Sequence, residues 1–205
     1  MVVGAVLSVT QTDVKRLLAY SSIAHAGFIL VAVLSFDRTG VAGTLFYLVA
    51  YGFMTIAGFA IVSMVRQGGS EASHLSQWAG LGRNHPVVAG VFAFLLLAFA
   101  GIPLTSGFTA KFAAFSPAVA FGGTSGVALV VIGVLCSVIT AFVYVRLIVL
   151  MYFTEAPAGE AVVAESASAY TTIAITVGTL VTLVLGVLPS QVLDLAARSS
   201  QFLVK

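Results

Sequence analysis

From Val87 to Gly122 the chain carries a single charged side chain, Lys111. An apolar run of that length reads as membrane-spanning helix, because a bilayer core needs about 20 consecutive apolar residues. The run is interrupted near its middle. Gly101, Pro103 and Gly107 bracket Thr105 and Ser106 in the stretch GIPLTSGFTAKF, Gly101 to Phe112. Proline removes a backbone donor and clashes with the preceding turn, so the helix is expected to break there. In lipid the freed backbone groups must find partners inside the protein or in trapped water. A broken helix beside a buried lysine is a way to build a mid-membrane ion site. The other reading is a proline kink with a lysine that snorkels to the surface. About a dozen apolar or small residues follow Lys111, roughly 18 Å of helix at 1.5 Å each, which is far for snorkelling. A charge held so deep is expected to be functional.

The composition agrees with a membrane chain. Of 205 residues, 60% are hydrophobic and 8% charged, and the mean hydropathy is +1.13. Soluble domains carry about 25% charged residues. The net charge of +2 comes with no basic stripe, so no nucleic-acid partner is expected. The single Cys136 excludes an internal disulfide and a cysteine-held iron–sulfur cluster. His25, His74 and His85 are scattered without metal-ligand spacing, and no nucleotide-binding fingerprint occurs. No cofactor, no metal and no redox or catalytic centre is expected on this chain.

Taken in order, the chain reads as all-α, a polytopic transmembrane helix bundle with one discontinuous helix, in a single domain. Residues 1–10 form an apolar stretch too short to cross, expected to be the back half of a helix. Further spans are expected at 17–36, 41–66, 87–122 (broken), 127–153 and 170–188. Lys15 and Arg16 precede the first full span as interfacial anchors. Ser21 and Ser22 stand four and three residues before His25, so the three share a helix face. That stripe is either a hydrogen-bonded cluster or a stop on a proton path, since neutral histidine both donates and accepts. Gly43, Gly52 and Gly58 suit close helix contact. Tyr47 and Tyr51, one turn apart, read as packing residues. Gln67 to His85 reads as a surface loop in which His74 and His85 are solvated. The excess of Lys15, Arg16, Arg66 and Arg83 places that loop in the cytoplasm. Arg146 is either an interface anchor or faces a neighbouring helix. The loop from Thr154 to Ala169, with Pro157, Glu155, Glu160 and Glu165, is acidic. After Pro189, Val192, Leu195, Ala196 and Leu203 lie near one face, which suits a helix on the membrane surface.

Three motifs carry a resemblance. TQTDVKRLLAYSSIAHAGF, Thr10 to Phe28, is similar to the signature of the antiporter-like membrane subunits of respiratory complexes. GIPLTSGFTAKF is similar to a broken helix whose lysine matches Lys111. AFVYVRLIVLMYF, Ala141 to Phe153, is similar to the helix that follows. Together with the ending LGVLPSQVLDLA, they make the chain resemble the carboxy-terminal part of the subunit N family of bacterial proton-pumping NADH–quinone oxidoreductase, respiratory complex I. The resemblance covers essentially the whole chain. The sister subunit M family typically has glutamate where Lys111 stands. The subunit L and sodium/proton antiporter families keep a lysine but usually add a second proline and lack the following phenylalanine. Ile102-Pro103-Leu104 and Lys111-Phe112 therefore favour N, as does Tyr20-Ser21-Ser22-Ile23 with His25.

The resemblance implies a non-redox subunit of an oxidoreductase, multi-pass in the cell inner (plasma) membrane. Quinone reduction in other subunits would drive Lys111 to load a proton from a water chain and release it. His25, Ser21 and Ser22 would lie on the path, and Lys15 would either join it or anchor its helix. Implied partners are the other membrane subunits of complex I, the lipid bilayer, and protons and water as transported species. The family has roughly twice as many helices, including a glutamate and two further lysines that have no counterpart here, so the chain is expected to be a fragment. The alternatives are a cation/proton antiporter subunit of the same superfamily, or a non-functional structural fragment.

Overall fold

A computed structural model describes residues 1–35, 37–155, 162–164 and 168–203. Phe36, the expected end of one span, lies outside them, as do Pro157, Glu160, Glu165 and Lys205 and the side chain of Leu203.

The described residues form a helix bundle. The opening helix, α1, is Val2–Val9. It is followed by α2, Val14–Val33, which Asp13 caps by accepting from the Arg16 amide at 2.8 Å. Next is α3, Arg38–Met64, capped by Asp37. Partial burial works against the Asp37 charge, but bonds from the Thr39 and Ser35 hydroxyls and the Gly40 and Thr39 amides outweigh it. They hold its carboxyl below the ordinary value. The remaining helices are α4 (Leu81–Asn84), α5 (Pro86–Ala100), α6 (Ser106–Phe121), α7 (Gly123–Phe153), α8 (Ala169–Val187) and α9 (Ser190–Leu203). Pro86 opens α5, where its missing donor is harmless.

Among the described residues four helices, α2, α3, α7 and α8, are long and apolar enough to cross a membrane; α5 is apolar but shorter. The exposed surface of these helices is rich in Leu, Ile, Val and Phe, as a lipid-facing surface is. The molecule is thus an all-α, multi-pass membrane bundle, with α3 at its centre against α2, α5, α6, α8 and α9. Gly43 lets α3 approach the Ala113 carbonyl of α6; a Cβ there would sit 2.3 Å from that oxygen. Gly52 has open space around its Cβ direction, and Gly58 meets Phe99 at ordinary distance, so only one of the three expected glycines makes a tight contact.

Between α3 and α5 the structure differs from the surface loop that its composition predicts. Val65–Gln67 (β1) pairs antiparallel with Ser70–Glu71 (β2) across Gly68-Gly69, both at positive φ. On its other edge β1 pairs with Val163–Ala164 (β3), in the order β2-β1-β3. A short 3-10 helix, Leu75–Trp78, follows. His74 is exposed, but it accepts from the Ser76 amide and caps that helix, with Gln77 returning a bond to the His74 amide. His85 is half-buried, not solvated. Trp78 is fully buried, donates to the Ala72 carbonyl at 2.7 Å and packs on Phe92. The segment is a folded end-cap on the bundle because its apolar residues Leu75, Trp78 and Leu81 join the core cluster, with the 3-10 helix and α4 packed on α7 and α5.

Through Val192, Leu193 and Ala196, α9 packs along α3, whereas Leu195 is 64% exposed.

Candidate functional site

The candidate site lies where α2, α3, α5, α6 and α7 meet. The segment expected as one interrupted span is two helices, α5 and α6, joined by Gly101–Thr105. Gly101 takes φ +84°, and the Ile102 amide reaches back to the Leu97 carbonyl at 3.1 Å while the Gly101 amide reaches Ala98 at 3.0 Å. This is a Schellman ending, in which glycine meets the left-handed requirement without a Cβ penalty. Leu104 also has positive φ, 71°, a strained position for a branched side chain. Thr105 closes the connector by bonding the Ile102 carbonyl through both its amide and its hydroxyl.

That ending leaves two carbonyls of the last turn of α5 without backbone partners, Phe99 and Ala100. Lys111, on the second turn of α6, supplies them. Its side chain runs toward the α6 N-terminus, as helical side chains do, and Nζ donates to Phe99 O at 3.1 Å and Ala100 O at 2.7 Å. A third bond goes to Ser137 Oγ of α7 at 2.6 Å, and the ammonium lies 5.4 Å from the Phe28 ring centre. Lys111 is only 7% exposed, and among the described residues it has no carboxylate partner. The negative end of the α5 dipole takes the place of a counter-ion. Gly107 makes this arrangement sterically possible, since a Cβ there would meet the Ala98 carbonyl oxygen at 1.8 Å.

A second polar group lies across Phe28 and Phe99 from the ammonium. His25 is fully buried. Its Nδ1 is bonded to the Tyr47 hydroxyl at 2.9 Å, and its Nε2 stands 3.4 Å from the Tyr144 hydroxyl. Tyr144 also hydrogen-bonds Ser21. Tyr51 stacks on His25 at 4.5 Å and donates to Ser22 at 2.7 Å. Ser21, Ser22 and His25 thus share one cluster, as their spacing predicts. Tyr47 and Tyr51 do more than pack, because their hydroxyls are the cluster's partners. Tyr144 and Ser137 carry contacts that no expectation gave them. The available signal was periodic: Ser137, Thr140 and Tyr144 recur at helical spacing in an otherwise apolar segment.

Lys15 is not in this cluster. It is 41% exposed and pairs with Glu71 on β2 at the end of the bundle. That contact, and then the Lys15 charge, holds the Glu71 carboxyl below its ordinary value. Arg146 reaches a neighbour, the Val9 carbonyl at the end of α1, at 3.4 Å. Among the described residues no three His, Cys, Asp or Glu side chains are grouped to hold a metal ion.

The site brings together lysine, histidine, tyrosine and serine side chains, all of them hydrogen-bonding groups. The profile of the family described as NADH:quinone oxidoreductase/Mrp antiporter, TM, matches residues 1–140. A NADH-quinone oxidoreductase subunit N of Salinispora arenicola is 59% identical over 98% of this chain and 38% of its own length. The corresponding protein of Rhodococcus opacus is 56% identical over 98% of this chain and 37% of its own length. The chain therefore spans less than two-fifths of the length of these relatives. Among solved structures, respiratory complex I from Thermus thermophilus with bound aureothin has a chain 30% identical at a TM-score of 0.78, covering 94% of this chain and 42% of that one. A chain of the Mrp complex from Dietzia shares the fold, at a TM-score of 0.79 and 21% identity, over 96% of this chain and 44% of its own. With two-thirds of its length matched by the profile, the chain belongs to the NADH:quinone oxidoreductase/Mrp antiporter transmembrane family.

Proposed function

We propose that this chain is part of a subunit N of NADH–quinone oxidoreductase and carries protons across the plasma membrane as a non-redox component of that enzyme. The observation that carries the reading is Lys111: a buried lysine with three hydrogen bonds and no carboxylate partner among the described residues. A lysine at mid-core costs about 2.5–3.5 kcal/mol on insertion scales. Charge-assisted hydrogen bonds contribute about 1.5–3 kcal/mol each. Three such bonds together more than offset that cost, so the site holds the ammonium without a carboxylate partner. Such a group gains and loses a proton in response to nearby charge, which a salt-bridged lysine resists.

In this reading α5 and α6 are two halves of one span, and Lys111 sits at their junction. His25 with Ser21 and Tyr144 forms the next stage of the path, and Ser22 with Tyr51 flanks it. Lys15 anchors α2 at the end of the bundle. Quinone reduction takes place in partner subunits, other membrane subunits of complex I flank this one, and lipid covers its apolar faces. Protons and water are the transported species, with no cofactor on the chain.

The test is Lys111→Met in the full-length subunit, with proton pumping measured in inverted membrane vesicles. The expected result is a normally assembled complex that has lost most of its pumping. Wild-type pumping at normal complex abundance overturns the proposal.

A further inference from the structure

Resting on that carrier reading, we infer that Ser137 is the positioning residue that lets Lys111 exist in both protonation states without moving. The argument is a count of donors and acceptors. A lysine ammonium has three N–H donors and no acceptor. Here three acceptors meet it: the carbonyls of Phe99 and Ala100 and the hydroxyl oxygen of Ser137. The charged form is fully satisfied.

Loss of a proton changes the requirement. The neutral amine has two N–H donors and one lone pair. The two carbonyls are fixed in the last turn of α5 and only accept, so they retain the two N–H groups. The lone pair then faces the remaining partner. A serine hydroxyl rotates about its C–O bond and either accepts or donates. Ser137 therefore accepts from the ammonium and donates to the amine across the same 2.6 Å contact. The ammonium proton passes to the Ser137 oxygen as the hydroxyl's own proton passes to a water of the transport path, and the reverse transfer restores it. Lys111 thus keeps its side chain in place, and the α5–α6 junction need not open at each cycle.

Ser137 is also on the helix that holds Tyr144, two turns on, which contacts His25. One face of α7 thereby fixes the geometry of Lys111 at one point and of His25 at another. The Thr140 hydroxyl between them donates to the Ser137 carbonyl at 3.0 Å.

Ser137→Ala and Ser137→Thr in the full-length subunit, beside Lys111→Met, test this by pumping in inverted vesicles at matched complex abundance. Ser137→Ala removes the hydroxyl at almost constant volume, and pumping is expected to fall about tenfold, the scale of one lost hydrogen bond to a charged group. Ser137→Thr keeps the hydroxyl and is expected to pump within about twofold of wild type. Wild-type pumping in Ser137→Ala, with Lys111→Met inactive, overturns the role of Ser137 and leaves the carrier reading intact. Equal slowing in the Ala and Thr variants indicates packing alone and also overturns it. Normal pumping in Lys111→Met removes the carrier reading, and this inference with it.

Discussion

Lys111 and Lys15 are the same residue type in opposite settings. Lys15 lies at the bundle end, two-fifths exposed, and pairs with the equally exposed Glu71. Lys111 lies among α5, α6 and α7, almost fully buried, and among the described residues its hydrogen-bond partners are neutral oxygens. An exposed pair gains little because water and salt screen it. A buried lysine is kept only where oriented backbone replaces water, and the end of α5 provides that. The exposed lysine is thus expected to be replaceable, whereas the buried one depends on an assembly of helix ends.

The comparison breaks most severely at Gly107. In Gly107→Ala the new Cβ meets a backbone carbonyl that cannot rotate away. The expected destabilisation is at or beyond the about 1–3 kcal/mol of ordinary overpacking. The assembled complex, measured by its abundance in membranes, is expected to fall sharply. Wild-type abundance would mean that α5 and α6 are not locked as described. Next come the partners of His25. Tyr144→Phe removes the hydroxyl that contacts both Ser21 and His25. A fall of about tenfold in pumping is expected, with assembly retained. Unchanged pumping would restrict the site to Lys111 and its oxygens.

The smallest effect belongs to the exposed pair. In Glu71→Gln, pumping is expected to stay at the wild-type level, and detergent-solubilised thermal unfolding at pH 7 to shift only slightly downward. The Glu71 carboxyl is held below its ordinary value in the folded chain. Its contribution is therefore present above the ordinary carboxylate range and is lost as pH falls through the folded value. The difference between Glu71→Gln and wild type is expected to vanish at low pH and in high salt. A large pumping defect in Glu71→Gln would bring Lys15 into the transport machinery.

The helices were legible because apolar runs, Pro and Gly punctuate the chain plainly. Pro86 and Gly101 bound α5, and Lys111 is conspicuous in its apolar run. The end-cap was hidden because β1 finds one of its two partners at Val163–Ala164, nearly a hundred residues on, and strands this short leave no periodic trace. The capping role of His74 and the burial of Trp78 depend on that tertiary arrangement. Within the site, Ser21, Ser22 and His25 share a face by local spacing alone. The union of Tyr144 with His25, and of Ser137 with Lys111, crosses between helices far apart in sequence. Helical periodicity marks such residues as facing inward but does not say what they meet.

The difference between the two lysines comes down to whether Lys111 must release its proton or only supply positive charge. Lys111→Arg separates these, because arginine keeps the charge and does not deprotonate in proteins. The decisive measurement is proton pumping in inverted vesicles carrying the Lys111→Arg full-length subunit, at wild-type complex abundance. A carrier predicts loss of pumping as complete as in Lys111→Met. Near-normal pumping in the arginine variant would show that Lys111 acts by charge alone and would contradict the carrier role.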